Sequence, residues 1–344
     1  MKTFVAVLAF VLVACTENKA PEVSAFSVAP EDLCMTLLGT NDIHGTVESR
    51  IHGEPPISVR EGGLPLLSAY ITGVRTSALN PVLLLDAGDM YRGSFASDRF
   101  EGKPTIDAMN IIGYDAGVLG NHEFDFGSGE TGTDKLSVVR QRVADAKFPI
   151  LTANVYDRAT GKRIDWPNTQ SSILKRIGAM DVGIIGISTV DTPSTTFASN
   201  VTALEFKDPA PIVQAEAAEL RNKGARLVVL VGHVGTECAS ADSCDKDSEL
   251  VKLLTTLPAR TVDAVVAGHT HRDVANWIAG VPVIESSSYG RKLGRVDLCA
   301  KAEGGLDANR STIHQPTRLC ETAWTDNTCE DPADAAQTPH PVKL

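Results

Sequence analysis

Short apolar runs alternate with polar clusters along most of the chain. Met35–Leu38, Val82–Leu85, Gly117–Leu119, Ile150-Leu151, Leu227–Val231 and Val262–Val266 are too brief for helices and rich in Leu, Val and Ile. Runs of this kind predict strands of a largely buried sheet. Between them, the spacing of Ile106, Met109, Ile111 and Ile112 predicts a helix, as does the periodicity of Leu136–Ala146. Pro211–Lys223 is an Ala- and Glu-rich helix with proline near its start, where a missing N–H costs least. Ile173–Ile177 and Val182–Ile187 flank Gly178-Ala179-Met180-Asp181, the turn of a hairpin. Val281–Ile284 and Arg295–Leu298 continue the series, and from about Thr317 the chain thins into Asp, Pro, Ala and Thr. Strands alternating with helices imply α/β layers.

The first residues follow a different pattern. Lys2 precedes the apolar run Phe4–Val13, which falls well short of the roughly 20 residues a spanning helix needs and matches a secretory h-region. Its end, Leu12-Val13-Ala14-Cys15, resembles a bacterial lipobox. Residues 1–14 then read as a lipoprotein signal peptide, Cys15 as the lipidation site, and residues 15–33 as a flexible tether rich in Glu, Ser, Pro and Ala. The expectation is an exported chain, anchored to a bacterial membrane through Cys15 and facing the periplasm or the cell surface. Thr16 is not the Asp associated with inner-membrane retention.

Six cysteines remain downstream, at 34, 238, 244, 299, 320 and 329. An even number in an exported chain implies disulfides. Six allow 15 pairings, so connectivity is not fixed by sequence; closeness along the chain favours Cys238–Cys244 and Cys320–Cys329, leaving Cys34 with Cys299. None of the spacings is that of a structural zinc site.

The formal net charge of −11 over 344 residues, with no basic stretch, argues against a long nucleic acid as partner. An acidic chain that handles a phosphate must raise positive potential locally, as bound cations do.

Five polar signatures supply the candidate chemistry: Asn41-Asp42-Ile43-His44-Gly45, Gly88-Asp89, Gly120-Asn121-His122-Glu123-Phe124-Asp125, Gly232-His233 and Gly268-His269-Thr270-His271. Most follow the apolar runs, at the strand ends where α/β sheets place ligands. Asp42 and His44, two apart, face one side and can share a metal. Asp89 offers two oxygens that can bridge two cations, and Asn121 a neutral carbonyl. His122 can reach a phosphoryl oxygen, with Asp125 fixing its tautomer. His269 and His271 point to one side of an extended segment, and such imidazole pairs favour Zn, Mn, Fe or Co over Mg or Ca. Tyr91 and Arg92, next to Asp89, could line a substrate pocket or be exposed loop residues. Taken singly, Asp42, Asp89 and His233 would pass as ordinary turn or strand-end residues. Glu123 reads as a solvated or capping residue, and His52, His314 and His340 fit no signature.

The order D-x-H, G-D, G-N-H-E, G-H, G-H-x-H resembles the calcineurin-like metallophosphoesterase superfamily. Gly113-Tyr114-Asp115-Ala116, Gly120–Asp125 and Ser288-Tyr289-Gly290-Arg291 resemble its 5′-nucleotidase and UDP-sugar hydrolase branch. The resemblance covers roughly Cys34–Leu298. It implies a four-layer α/β/β/α sandwich of two mixed sheets flanked by helices, with the catalytic domain at residues 34–316 and a tail at 317–344. It also implies two divalent metals, one held by Asp42, His44, Asp89 and His271, the other by Asp89, Asn121, His233 and His269. His122 and Asp125 would be the catalytic dyad, and Asn121, His122 and Arg92 would contact substrate. The implied reaction is attack on phosphorus of a nucleotide or related phosphate ester by hydroxide that the cations activate. Two departures stand out: several two-domain nucleotidases carry Gln or Asn where this chain has His271, and the C-terminal substrate-specificity domain of that branch is absent from this sequence. The alternatives are a UDP-sugar diphosphatase or phosphodiesterase, and a non-catalytic surface lipoprotein derived from such an enzyme.

Overall fold

In the computed structural model the described residues are 33–52, 59–129, 132–240, 243–323, 329 and 340–341. The signal-peptide, lipidation and tether readings up to residue 32 lie outside them, as do the side chains of His52 and His340. The strands, numbered in chain order for the two large sheets alone, are β1 (Cys34–Thr40), β2 (Val82–Asp86), β3 (Ala116–Val118), β4 (Ile150–Leu151), β5 (Thr169–Gln170), β6 (Ser172–Ile177), β7 (Met180–Ser188) and β8 (Leu227–His233). They continue as β9 (Ala264–Ala267), β10 (Asp273–Ile278), β11 (Val281–Ser286), β12 (Lys292–Cys299) and β13 (Thr312–Arg318).

One sheet has seven strands in the order β13-β12-β1-β2-β3-β4-β5, the other six in the order β10-β11-β9-β8-β7-β6. Both are mixed: β1 through β5 run parallel, β12 runs against β1, and β13 runs against β12. Likewise β7, β8, β9 and β11 are parallel, with β6 and β10 antiparallel at the edges.

The period-two alternation of strand side chains sorts the apolar residues into layers. Met35, Leu37, Leu83, Leu85 and Val118 point one way and meet Val182, Ile184, Val229, Val231 and Val266 in a core between the sheets. Leu38 and Leu84 point the other way, against Leu67 and Ile71 of helix α1 (Leu64–Ser77), Ile106 and Met109 of α2 (Lys103–Ile112) and Val139 and Val143 of α3 (Ser137–Asp145). Ile185, Ile187, Val228 and Leu230 pack on Val213, Ala217 and Leu220 of α4 (Pro209–Asn222) and on Leu250 and Leu254 of α5 (Glu249–Thr256). Helix, sheet, sheet and helix layers follow, as the resemblance implies. Between the sheets, a Cβ on Gly186 of β7 would lie 2.1 Å from Leu151 Cβ, so only glycine fits there.

Three details depart from the pattern read from sequence. Helix α1 escaped the periodicity because Ile71, Thr72, Val74 and Thr76 are β-branched and Gly73 interrupts it, so burial of Leu64, Leu67 and Ile71 stabilises it rather than propensity. Helix α4 begins at Pro209, capped by the Asp208 side chain on the Ala210 N–H. The sheet also runs past Thr317 to Arg318, because β13 is an edge strand, where Pro316 costs no ladder bond.

Disulfides join Cys34–Cys299, Cys238–Cys244 and Cys320–Cys329, the pairing that closeness along the chain favours. Cys34 and Cys299 stand directly opposite each other on β1 and β12.

Candidate metal centre

All five polar signatures come together at one edge of the sandwich, beyond the C-terminal ends of β1, β2, β3, β8 and β9. Past the last strand residues the loops keep pairing: the N–H groups of Asp42, His44 and Gly45 donate to the carbonyls of Gly88, Asp89 and Met90 at 2.9 Å each. The loops turn sharply at the functional residues themselves. Asp42, His44, Asp89, His269 and His271 all have positive φ, between 50° and 81°, a region that L-residues enter at a cost.

Buried hydrogen bonds hold these bends. Asn41 ties the β1 loop to the β11 loop: its amide donates to Asp42 Oδ2 and the Ser287 carbonyl, each at 2.7 Å, while its oxygen accepts the Ser286 N–H. Glu123 is fully buried, not solvated as its sequence position suggested. Its carboxylate accepts the N–H groups of Asp89, Gly120 and Met90 at 2.6–2.8 Å, joining the loops that carry Asp89 and Asn121. Burial and the neighbouring Asp89 raise its pKa to about 8. Buried Glu285 accepts the Thr270 hydroxyl and the Arg272 N–H, bracketing His271. Gly120 is required for the crowding, since a Cβ there would sit 2.2 Å from Asp89 Oδ1.

Two groups of ligand atoms result. In the first, Asp42, His44 and His271 converge. His44 Nδ1 donates to the Arg92 carbonyl at 2.8 Å, which turns the Nε2 lone pair inward; Nε2 then faces His271 Nε2 at 3.0 Å. Asp42 Oδ1 lies 3.2 Å from His271 Nε2 and is buried with no hydrogen-bond donor. A carboxylate oxygen left without a donor beside two inward imidazoles fits a cation. His271 is the most open of the three, with 36% of its side chain exposed.

The second group centres on His233, which is fully buried. Its Nδ1 donates to the Ala87 carbonyl at 2.8 Å. Its Nε2 faces Asp89 Oδ2 at 3.2 Å, Asn121 Oδ1 at 3.0 Å and His269 Nδ1 at 3.2 Å. Asn121 is oriented by donating its amide to the Thr195 carbonyl. Burial works against a charge on His233, but the carboxylates of Asp89 and Asp42 outweigh it and raise the pKa to about 10. Burial and the adjacent His233 lower His269 to about 4. Three lone-pair donors therefore aim at one proton on His233 Nε2, and a divalent cation suits such a donor set better than a proton does.

A titration prediction follows from that proton. The Asp89 and Asp42 carboxylates favour a proton on His233 well above the ordinary imidazole range, so a metal held at Nε2 would have to displace it. Apparent affinity for Mn²⁺ or Zn²⁺ should rise by about tenfold per pH unit for each proton displaced. Calorimetry between pH 6 and 8 in buffers of different ionisation enthalpy would measure the release. An affinity independent of pH would contradict the assignment of His233.

His122 stands beside these groups, its ring centroid 5.4 Å from that of His44. Its Nδ1 donates to Asp125 Oδ2 at 2.7 Å. The Asp125 hydrogen bond is the main cause that raises the His122 pKa, against partial burial. Asp125 is itself fixed by the Thr196 hydroxyl at 2.7 Å, with Arg92 Nε 3.7 Å away. Thr196 carries no sequence signal of this role, being 71 residues from its partner. Tyr91 is not an exposed loop residue: it is buried, donates to the Glu123 carbonyl and stacks on Phe126. His314 lies away from the centre, paired with Asp297 at 2.7 Å.

A sandwich of two mixed sheets gathering Asp, His and Asn at its strand ends defines a class, the metal-dependent phosphoester hydrolases. The chain belongs to the calcineurin-like phosphoesterase family, whose model matches residues 35–273. It is similar to the 5′-nucleotidase of Vibrio cholerae, at 31% identity over 283 residues, 76% of this chain and 48% of that one. Protein UshA of Escherichia coli is 28% identical over 287 residues, 77% of this chain and 48% of its own. The solved 5′-nucleotidase precursor of Thermus thermophilus superposes with a TM-score of 0.64 at 26% identity, covering 82% of this chain and 55% of that one. The chain thus spans about half the length of the curated relatives it matches.

Proposed function

We propose that this chain hydrolyses nucleotide phosphate esters, in the manner of a 5′-nucleotidase, with two divalent cations of the Mn, Zn, Fe or Co group. The observation that carries the reading is the pair of ligand groups flanking Asp89, with the His122–Asp125 pair beside them. Asp42, His44, Asp89 and His271 would hold one cation, and Asp89, Asn121, His233 and His269 the other. Such cations, when bound, acidify a water and withdraw charge from phosphoryl oxygens.

The protein groups do the rest. Asp89 is held as a carboxylate by His233 and His44 against the opposing pull of burial, so it can face both ligand groups. The Nδ1–Asp125 bond keeps the His122 ring in one tautomer with Nε2 directed to substrate. From there it protonates the leaving oxygen or neutralises charge on the phosphoryl group. Arg92, half-exposed beside Asp125, contacts the substrate anion. Nucleotide as substrate rests on the named relatives, the 5′-nucleotidases of Vibrio cholerae and Thermus thermophilus.

The catalytic unit in this reading is residues 34–316, exported and tethered through lipidated Cys15, with 317–344 as a tail. The three disulfides favour an oxidising compartment. A substrate panel with Mn²⁺ or Zn²⁺ tests the activity: nucleotides should be cleaved in a metal-dependent way and preferred over p-nitrophenyl phosphate. Metal uptake without hydrolysis of any phosphate ester would instead favour the binding-protein alternative.

A further inference from the structure

Beside the first ligand group stands an aromatic and cationic rim that the reaction above does not use. The Tyr289 ring lies 5.3 Å from the His44 ring and 5.8 Å from the His271 ring, centroid to centroid. Its backbone is locked in place, with φ at 61° and its N–H donating to the Asp42 carbonyl at 2.6 Å. Two guanidiniums approach that ring: Arg50 at 5.0 Å and Arg291 at 5.5 Å from its centroid. They arrive from separate elements. Arg50 opens a short antiparallel ribbon, Arg50–His52 with Val59–Glu61, and Arg291 lies in the turn before β12.

Neither guanidinium makes an ion pair with the described residues. Glu61, opposite Arg50 on the ribbon, is engaged by Arg318 at 2.6 Å. Among the described residues the Arg291 guanidinium donates to the Ser288 carbonyl and the hydroxyls of Ser287 and Ser288, at 3.2–3.4 Å. Two cations without a carboxylate partner, next to a metal centre in a chain of net charge −11, form a local positive field. A planar guanidinium presents several donors to phosphate oxygens, and an aromatic face holds it in place.

We propose that Arg50 and Arg291, braced on Tyr289, form a second anion subsite that binds a non-reacting phosphate of the substrate while the neighbouring phosphate lies at the metal centre. The proposal rests on the functional reading above, because it takes the reacting phosphate to sit at the two ligand groups. It gives the chain a means of selecting substrates with a second phosphate from residues of its own catalytic unit.

The test compares binding of two non-hydrolysable probes to the Mn²⁺-loaded chain by calorimetry: a nucleoside 5′-(α,β-methylene)diphosphate and the corresponding nucleoside 5′-phosphonate. The wild type should prefer the diphosphate analogue. Arg50→Gln and Arg291→Gln should each shrink the ratio of the two affinities by about tenfold, the scale of one lost charge-assisted contact. Arg50 is exposed, so the first variant leaves the fold intact; Arg291→Lys should recover part of the ratio. A wild type without preference, or a ratio unchanged in both Gln variants, overturns the subsite. Because binding is read without turnover, failure of the hydrolytic reading would appear separately, as absence of hydrolysis in the substrate panel.

Discussion

Asp89→Asn is expected to lower kcat/KM for phosphate-ester hydrolysis by on the order of 10³-fold, with a parallel fall in bound metal. Asp89 Oδ2 lies 3.2 Å from His233 Nε2 and 3.9 Å from His44 Nε2, so this carboxylate faces both ligand groups. The substitution keeps the shape and an oxygen for the His122 N–H, which Asp89 Oδ1 accepts at 2.8 Å. What it removes is one negative charge between two cation sites. The loss should therefore appear in elemental analysis as well as in rate, from about two metal equivalents to one or fewer. A variant that keeps both equivalents and full activity would show that Asp89 does not bridge them.

His122→Ala should cost about 10²–10⁴ in kcat, the range for losing a positioned acid, while metal content stays that of the wild type. The pair of measurements separates the two proposed roles, Asp89 through metal and His122 through a proton. Asp125→Asn gives the finer test. The hydrogen bond to Asp125 raises the His122 pKa, and in the proposed mechanism the protonated imidazole is the active acid. Activity should then be lost as pH rises through that raised value. Without the Asp125 charge the pKa drops, so the alkaline limb of the pH–rate profile should move to lower pH. An unmoved limb would mean that some other group sets it.

Much of this centre was legible because its chemistry is local. Asp42, Asp89, Asn121 and His269 each follow a strand by a few residues and His233 ends one, and the parallel strands of each sheet bring their C-terminal ends together. The alternation within Leu227–Val231 and Val82–Leu85 likewise encodes which side chains fill the core between the sheets and which meet a helix.

The supporting groups were not legible, because their partners are remote. Asn41 acts on Ser286, 245 residues away, and Thr196 on Asp125, 71 away. Glu123 showed a carboxylate at a strand end but nothing of the three N–H groups it would accept. Tyr91 misled for the opposite reason: a residue next to Asp89 is turned into the core by its bond to the Glu123 carbonyl. Helix α1 was hidden by poor intrinsic propensity, which only the finished core offsets.

The left-handed bends at Asp42, His44, Asp89, His269 and His271 bear on which ion the proposed centre would take. They are fixed by Asn41, Glu123 and Glu285, groups that bond to backbone and neighbouring side chains. Hydrogen bonds within the chain hold these bends, so replacing one transition metal by another should alter bond lengths without re-forming the loops. Choice among Mn, Zn, Fe and Co would then follow the supply of ions around the protein rather than any rearrangement of the chain.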